Sequence, residues 1–459
     1  MSASRQLFGT DGIRGEAGRP PLDAATVLRL GQAAADVFLA RRAGTDAARE
    51  WPTVVIGKDT RQSGDMLESA IAAGLNSRGI DVRLAGVIPT PAVAQLTRQT
   101  GAAFGVVISA SHNPFADNGV KFFGPDGYKL DDAIELEIEQ RLLGETVAPK
   151  GDTTIGRTGP LDHAAGRYIA AVRATVHDDA TLFKGLKFAL DCANGASFET
   201  SEAILRALGA EVVPFHNQPN GVNINRDCGC THPGIISRLV LETGAHAGIA
   251  HDGDADRVLL CDETGSVLDG DELMAIGAID LLDRGELAGQ TLVATVMSNA
   301  GLDAALAAHG GRVVRAGVGD RYVMEEMRRG DFNFGGEQSG HLIYHDLNTT
   351  GDGIVAAVQL LRVMVRNGQP LSALRRVLTK YPQAQRNLRV THKPPVESLP
   401  GVLSAIQGAE ASLAGDGRIL VRYSGTEPLV RILVEGADAE QIESLADTIR
   451  SAFVEAIGA

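Results

Sequence analysis

The segment from Val106 to Phe123, VVISASHNPFADNGVKFF, gathers several reactive side chains directly after an apolar run. Ser111, His112 and Lys121 offer a hydroxyl, an imidazole and an ammonium group within this one segment. Catalytic groups concentrate on loops that a rigid scaffold positions, so this strand end is a candidate reactive site. Serine near Asn-Pro also occurs in ordinary turns, and His112 and Lys121 have structural interpretations, so the segment alone leaves a nucleophilic serine open.

A second group of reactive residues follows the apolar run AGIA, where Asp252, Asp254 and Asp256 alternate in the segment HDGDADRVLL. Alternate residues of an extended chain point to the same side, so the three carboxylates should converge. Without compensation they would repel one another and favour protonation of one member. A hard divalent cation resolves the repulsion, and ligands that are all oxygen suit Mg²⁺. Three carboxylates leave coordination positions for a phosphoryl oxygen, which predicts a catalytic metal.

A calcium-binding EF-hand loop is the structural alternative for these aspartates. Counting twelve positions from Asp252 reaches Glu263, as such a loop requires. However, Arg257 stands where the sharp turn needs glycine, and no amphipathic helix follows Glu263. A solvated acidic turn stays open as the simpler alternative, and a catalytic metal is the favoured interpretation.

A serine beside a metal site could hold a phosphoryl group. Its charge of about −1.5 to −2 would suit Mg²⁺ held by three aspartates. The cation would then stabilise charge that develops on the moving phosphoryl oxygens. Ser111 is the candidate carrier, and His112, Lys121 and Arg14 are candidates to position that group or to move protons.

The cysteines predict neither disulfides nor a zinc site. With no export segment predicted, the four thiols should stay reduced. Cys228, Cys230 and His232 could contribute to zinc binding, but they share one tight turn and lack a second ligand pair at the usual spacing, which favours a plain loop.

Composition and charge exclude several classes of partner. The chain has 459 residues, enough for three or four domains, and its net charge of −14 argues against nucleic acid or an anionic membrane surface. The start, MSASRQLFGTDGIRG, lacks the apolar stretch of a signal peptide. The helical segment IVAAVQLLRVMV is short and carries Arg362, so it is expected in a core. We therefore expect a cytoplasmic protein with a small-molecule substrate. The oligomeric state is open, with a homodimer as one expectation.

The elements that must position these groups recur along the chain. An apolar strand, a loop, an amphipathic helix, a glycine and a second strand follow one another three times, and Gly79, Gly209 and Gly310 stand where each helix should end. Such units favour parallel strands with a right-handed crossover. The last portion instead shows strands RILVRYS and LVRILVEG and a closing helix from Asp438, with Gln441 placed for a capping box.

These patterns predict three related mixed α/β domains and a smaller C-terminal α+β domain. The expected boundaries are residues 1–160 for the serine-loop domain, 161–263 for the metal-loop domain, 264–380 for the third domain and 381–459 for the last.

Five segments in this order resemble the α-D-phosphohexomutase superfamily, and most closely its phosphoglucosamine mutases. They are FGTDGIRG (Phe8–Gly15), SASHNPFADNGVKFF (Ser109–Phe123), DGDADR (Asp252–Arg257), GEQSGH (Gly336–His341) and RYSGTEPLVR (Arg422–Arg431). The resemblance covers essentially the whole chain and implies four domains around a central cleft.

The resemblance also implies roles for individual residues. Ser111, rather than Ser109, would be phosphorylated and would share one Mg²⁺ per subunit with Asp252, Asp254 and Asp256. The sugar hydroxyls would contact Glu337 and Ser339. The phosphate that is not transferred would be bound by Arg422, Ser424, Gly425 and Thr426. The acid/base candidates are Arg14, Lys121 and His341. Asp320 and Arg321, in the family-like segment GVGDRY, receive no firm role.

The reaction implied is the interconversion of glucosamine 6-phosphate and glucosamine 1-phosphate through phosphoserine and a bound glucosamine 1,6-bisphosphate. The last domain should swing, since the intermediate needs space to turn over. Three alternatives stay open: a mutase for glucose or mannose phosphates, a metal-dependent sugar phosphatase, and a non-catalytic metal-binding protein.

Overall fold

The computed structural model describes residues 6–9, 11–43, 51–144, 155–414, 417–424 and 428–458. Its strands are β1 (Phe8–Gly9), β2 (Gly12–Glu16), β3 (Thr53–Lys58), β4 (Asp81–Val87), β5 (Phe104–Ile108), β6 (Asp117–Phe123), β7 (Thr158–Pro160), β8 (Lys187–Asp191), β9 (Glu211–Phe215), β10 (Ala247–His251), β11 (Val258–Asp262), β12 (Val267–Leu268), β13 (Thr291–Thr295), β14 (Arg312–Ala316), β15 (Phe334–Gly336), β16 (Leu342–Tyr344), β17 (Gln383–Arg389), β18 (Gly417–Tyr423) and β19 (Leu429–Gly436). Its helices are α1 (Ala24–Arg42), α2 (Gly64–Asn76), α3 (Thr90–Thr100), α4 (Asp132–Leu143), α5 (Ala164–Ala174), α6 (Thr200–Ala207), α7 (Pro233–Thr243), α8 (Gly270–Asp283), α9 (Gly301–Ala308), α10 (Asp320–Gly330), α11 (Gly353–Asn367), α12 (Leu371–Leu374), α13 (Pro400–Leu413) and α14 (Ala439–Ile457). Within these stretches no helix has both the length and the apolar character that crossing a membrane requires.

The first sheet contains seven strands in the order β1-β2-β6-β5-β3-β4-β7. Its central strands are buried β-branched runs, and β3, α2 and β4 form the first predicted strand–helix–strand unit, with β3 and β4 parallel. Strand β5 also runs parallel to β3, and the chain then reverses into antiparallel β6. The loop with Ser111 therefore leaves the sheet interior at the carboxyl end of β5.

The second and third sheets repeat this plan on a smaller scale. Their strand orders are β12-β11-β10-β8-β9 and β14-β13-β15-β16. The predicted units β8-α6-β9 and β13-α9-β14 are present, each with parallel strands. Gly209 and Gly310 follow their helices with φ values of 94° and 78°, a left-handed conformation that favours glycine. The predicted fold class is confirmed, because three such mixed α/β units precede a smaller α+β unit.

The last sheet has the order β17-β19-β18 and carries α13 and α14. Strand β17 was not predicted, because QAQRNLR buries only Ala384 and Leu388 and otherwise appears polar. The predicted capping box at α14 is also wrong. Asp438 accepts the N–H groups of Glu440 and Gln441, but the Gln441 side chain donates instead to Ser412 O at 3.0 Å.

The first three sheets share a hydrophobic core that the last sheet does not join. One continuous core joins buried residues of the first three sheets, among them Val55, Leu190 and Leu292, whereas the last sheet builds a separate cluster around Val434 and Phe453. The first three units thus share core packing, whereas the last unit packs around a core of its own. The four cysteines are buried free thiols: Cys192, Cys228, Cys230 and Cys261.

Candidate active site

The aspartate loop joins antiparallel strands β10 and β11. Asp252, Asp254 and Asp256 are all buried, and each contributes a carboxylate oxygen to a cluster whose atoms lie within 4.8 Å of one another. The carboxylates converge as expected, but the predicted cause is wrong. The loop is a turn rather than an extended chain, and Ala255 at its apex has a left-handed φ of 56°.

The chemistry of this cluster fits a hard divalent cation. Oδ1 of Asp254 and Oδ1 of Asp256 are buried and have no hydrogen-bond partner among the described residues. Burial and the neighbouring charges of Asp256 and Asp254 raise the pKa of Asp252 well above its ordinary value. Carboxylate oxygens crowded in this way suit a hard divalent cation such as Mg²⁺. The three aspartates could hold such an ion.

Ser111 lies against this cluster. Its Oγ donates to Asp252 Oδ2 at 2.6 Å, and its N–H donates to Ser109 Oγ at 2.9 Å. Its φ of 51° is left-handed, which is uncommon for serine. A Cβ on Gly253 would lie 2.6 Å from Ser111 O, so the two loops approach this closely only because position 253 is glycine.

Two residues that sequence reasoning missed hold the serine loop in place. Arg61 Nη2 donates to Ser111 O at 3.1 Å and to Asn113 O at 2.6 Å. Asn225 Nδ2 donates to the same two oxygens, at 2.8 and 3.1 Å. Arg61 is buried and paired with Asp59 just after β3, and the polar run KDTR at that strand end was the available signal.

Lys121 and Asp11 extend the polar network beside Asp254. Lys121 Nζ lies 3.1 Å from Asp254 Oδ2 and 2.9 Å from Asp11 Oδ2, and Arg14 pairs with Asp11. Burial lowers the pKa of Lys121, but Asp11 and Asp254 more than offset it, so its pKa is raised and its ammonium stays charged. Thr90 Oγ1 also donates to Asp254 Oδ2 at 2.7 Å. His112 lies nearby, with Nδ1 3.3 Å from Ser111 Oγ.

His341 approaches the cluster from the hairpin between β15 and β16. Its Nδ1 lies 3.6 Å from Asp256 Oδ2, and its Nε2 lies 3.5 Å from Asp320 Oδ2. Burial lowers its pKa, but Asp256, Asp320 and Glu337 outweigh burial and raise it to about 9. From the same hairpin, Glu337 Oε1 accepts the N–H of Gly319 at 3.0 Å.

These groups surround a cavity of about 720 Å³ between the first three sheets. The cavity is lined by positive or titratable side chains, namely Arg14, His112, Arg257 and His341. Its lining also includes Asp11, Asp256, Asp320, Glu337, Gln338 and Ser339. Arg257 was not predicted as a site residue. Of the residues that the structure describes, none beyond His341 lines the cavity.

Of the predicted phosphate-binding residues, the two that the structure describes, Arg422 and Ser424, therefore do not line this cavity. Arg422 lies on β18 directly opposite Arg431 on β19, and Ser424 O accepts a hydrogen bond from Lys393 Nζ at 2.5 Å. Gly425 and Thr426 lie outside the described residues.

The zinc alternative takes a different form in the structure. Cys228 groups with Asp191 and His216, not with Cys230 and His232. Both oxygens of Asp191 accept backbone N–H groups, from Ala193 at 2.9 Å and from Gly229 at 2.8 Å. The group thus has a structural explanation as support for two loops.

Comparison with known proteins agrees with this architecture. Four consecutive segments match families described as phosphoglucomutase/phosphomannomutase: alpha/beta/alpha domain I at residues 5–148, domain II at 166–265, domain III at 269–381, and the C-terminal domain at 386–452. Phosphoglucosamine mutase of Syntrophotalea carbinolica is 49% identical over 457 residues, which cover 99% of this chain and 98% of that protein.

Two solved structures share the fold. A phosphoglucomutase/phosphomannomutase family protein of Burkholderia thailandensis aligns with a TM-score of 0.80 at 24% identity, covering 98% of this chain and 97% of that one. N-acetylphosphoglucosamine mutase of Aspergillus fumigatus, in complex with GlcNAc-6P and magnesium, aligns with a TM-score of 0.64 at 17% identity over 99% of this chain and 96% of that one. With near-half identity to a curated relative over almost its full length, the chain belongs to the phosphoglucosamine mutase family of the α-D-phosphohexomutases.

Proposed function

We propose that this enzyme interconverts glucosamine 6-phosphate and glucosamine 1-phosphate, with Ser111 as the carrier of the transferred phosphoryl group. The observation that carries the proposal is the 2.6 Å contact between Ser111 Oγ and Asp252, which places a hydroxyl at the edge of three buried carboxylates. The identity of 49% to a phosphoglucosamine mutase supports the choice of sugar.

The proposed reaction has two transfers. In the first, the 1-hydroxyl oxygen of glucosamine 6-phosphate attacks the phosphorus of phosphorylated Ser111. The bond from phosphorus to Ser111 Oγ breaks, the sugar hydroxyl loses its proton to a base, and Oγ takes up a proton. The product, glucosamine 1,6-bisphosphate, turns over in the cavity. Ser111 Oγ then loses its proton to a base and attacks the phosphorus of the 6-phosphoryl group. The sugar O6 takes up a proton as its bond to phosphorus breaks, glucosamine 1-phosphate leaves, and Ser111 is phosphorylated again.

The polar residues around Ser111 would provide charge and proton positions for both transfers. Mg²⁺ held by Asp252, Asp254, Asp256 and Ser111 would stabilise the developing charge on phosphoryl oxygens. The magnesium in the Aspergillus fumigatus complex supports this choice of ion. Asp11 and Asp254 keep the Lys121 ammonium charged. It can therefore stabilise a phosphoryl oxygen or donate a proton.

Opposite the serine loop, the hairpin with Glu337, Ser339 and His341 would receive the sugar. A carboxylate and a hydroxyl can accept from and donate to neighbouring sugar hydroxyls, and the Glu337 carboxylate is already oriented by Gly319 N–H. His341 stands between Asp256 and Asp320, where an imidazolium can pass a proton toward the transferred group.

The last domain would bind the second phosphate. Directly opposite residues of an antiparallel pair project to the same face, so Arg422 and Arg431 place two positive side chains side by side. Arginine presents a planar fork to phosphate oxygens, and Ser424, Gly425 and Thr426 would complete the shell. Closure of this separately packed domain over the cavity would bring these residues to the sugar phosphate.

We retain the expected domain boundaries, 1–160, 161–263, 264–380 and 381–459, as part of this proposal. Because charged sugar phosphates do not pass unaided through a bilayer, we also place the enzyme in the cytoplasm.

A coupled assay tests the proposal with glucosamine, glucose and mannose 6-phosphates as parallel substrates. We expect the highest kcat/KM for glucosamine 6-phosphate in the presence of Mg²⁺. Preference for glucose or mannose 6-phosphate would point to the other mutases, and release of inorganic phosphate without sugar 1-phosphate would point to a phosphatase.

A further inference from the structure

Lys129 joins two carboxylates that come from different sheets. It follows a tight hairpin in which Gly124 N–H donates to Tyr128 O at 2.8 Å, and its backbone bridges to Phe123. Its Nζ lies 2.5 Å from Asp11 Oδ1 and also pairs with Asp320 at the start of α10. This role was not predicted, because the segment GPDGYKL has the composition of an ordinary surface turn.

Besides Lys129, each of the two carboxylates also lies beside a candidate acid/base residue. Asp11 Oδ2 lies 2.9 Å from Lys121 Nζ, and Asp11 also pairs with Arg14. Asp320 Oδ2 lies 3.5 Å from His341 Nε2. Lys129 therefore stands at the centre of a chain of alternating charges that runs from Lys121 through Asp11 and Asp320 to His341.

We propose that Lys129 is a positioning residue for phosphoryl transfer, which fixes Asp11 and Asp320 and through them the spacing between Lys121 and His341. This inference rests on the proposed mutase function. Without the ammonium group, two poorly solvated carboxylates would face each other and repel, and the two groups they hold would shift. A displacement of about 1 Å at a reacting group can lower the rate about 100-fold.

The simpler alternative is that Lys129 only ties the first sheet to the third. Arg321 offers a matched control, because it makes that kind of tie without touching Asp11 or His341. It follows Asp320 directly, donates to Leu130 O at 2.6 Å and pairs with Asp132 and Glu135 on the first domain's side. The two side chains are similarly shielded, with 15% of Lys129 and 10% of Arg321 exposed.

The experiment compares steady-state kcat and KM of the full-length wild type, Lys129→Met, Lys129→Arg and Arg321→Met, with glucosamine 6-phosphate and saturating Mg²⁺. For Lys129→Met we expect kcat to fall about 100-fold while KM stays within about threefold. Lys129→Arg keeps the positive charge, so its kcat should be at least about tenfold higher than that of Lys129→Met. Arg321→Met should keep kcat within about threefold of the wild type, even if its melting temperature falls as far as that of Lys129→Met.

A wild-type kcat in Lys129→Met would overturn the inference, and so would an equal loss of kcat in Arg321→Met. If Lys129→Met does not fold, Lys129→Gln takes its place, because an amide can still donate to both carboxylates. Its kcat should then fall about tenfold, and a wild-type value would again overturn the inference. A wild type that forms no glucosamine 1-phosphate would instead overturn the proposed function, together with the inference that rests on it.

Discussion

Asp271 Oδ2 accepts the backbone N–H of Asn299 at 2.9 Å, and this contact supports the connection to the last domain. Asn299 exchanges two hydrogen bonds with Tyr381, from Nδ2 to Tyr381 O at 3.0 Å and from Tyr381 N to Oδ1 at 2.9 Å. Tyr381 comes just before β17, the first strand of the last sheet. A fully buried carboxylate therefore lies beneath the segment on which the last domain would turn.

Stability should depend on pH through Asp271. Burial raises its pKa to about 6, so the folded protein holds this proton more tightly than the unfolded chain, in which aspartate titrates near 3.8. The stabilising contribution of the protonated form is complete below about pH 4 and is lost as the pH rises through about 6. We expect Asp271→Asn to be more stable than the wild type by up to about 3 kcal/mol at pH 7.5, with the difference closing toward pH 4.

Denaturant unfolding of both proteins at pH 4.5 and pH 7.5 measures this difference. The exposed Asp303→Asn, which removes a surface partner of Arg315, serves as the control and should show little pH-dependent change. The same stability difference at both pH values for Asp271→Asn would contradict the prediction.

Ser111→Ala should lose both the phosphoryl group and the activity. Intact mass spectrometry of the purified wild type should show a fraction with one added phosphoryl group, and the variant should lack it. Removal of a nucleophile should lower kcat by at least about four orders of magnitude. Ser109→Ala is the matched control, because Ser109 lies two positions before Ser111, and its hydroxyl accepts the Ser111 N–H and hydrogen-bonds to Asp59. Ser109→Ala should keep the added phosphoryl mass. Absence of that mass in Ser109→Ala would argue that Ser111 is not the phosphorylated residue.

Mg²⁺ should stabilise the wild type, and Asp252→Asn should abolish that stabilisation without lowering the stability of the metal-free protein. At a Mg²⁺ concentration about 100 times the Kd, the wild type should gain about 2.7 kcal/mol, and EDTA should reverse the gain. Asp252→Asn should lose this gain, because one of the carboxylates is removed. Without metal, the same variant should be as stable as the wild type or more so, since the pKa of Asp252 is raised by burial and by its charged neighbours. Thermal melts with Mg²⁺ and with EDTA measure both effects, and equal Mg²⁺ stabilisation of the two proteins would argue against the site.

Arg422→Gln should weaken substrate binding. A hydrogen bond to a charged group contributes about 1.5–3 kcal/mol, so KM for glucosamine 6-phosphate should rise about 10- to 100-fold. The content of phosphorylated Ser111 should stay unchanged, because Arg422 lies on the last sheet and does not line the cavity. Arg450→Gln, an exposed position on α14, is the control and should leave KM unaffected. An unchanged KM in Arg422→Gln would contradict the predicted role of this arginine in phosphate binding.

The elements that present the reactive loops were predictable because each follows from local pattern. Apolar runs that end in polar residues located the strand ends before Ser111 and Asp252, and helix-ending glycines such as Gly209 marked the repeated units. The contact between Ser111 and Asp252 is different, since 141 positions separate them along the chain. Phosphoryl chemistry suggested that the two groups act together, and the resemblance to a known family implied that the fold places them around one ion.

Other parts of the site gave no usable local signal. Arg61 and Asn225 act on backbone oxygens of another loop, and Lys129 acts through two carboxylates, so their importance depends on tertiary contacts. The sequence predicts an extended chain for the aspartate segment, because alanine gives no local indication of the left-handed conformation that Ala255 adopts. Such positions are determined by the packing of neighbouring loops rather than by their own residue type.

Because all four native thiols are buried, a spectroscopic label can be attached selectively to an introduced cysteine. Burial raises the pKa of Cys228 and of Cys261 to about 12 and that of Cys192 and Cys230 well above its ordinary value, so none presents a reactive thiolate at neutral pH. A cysteine introduced on the outer face of α14 would therefore be modified alone by a maleimide dye. Paired with a second introduced cysteine on α1, it would report the distance between the last unit and the first by fluorescence energy transfer, without prior removal of any native cysteine.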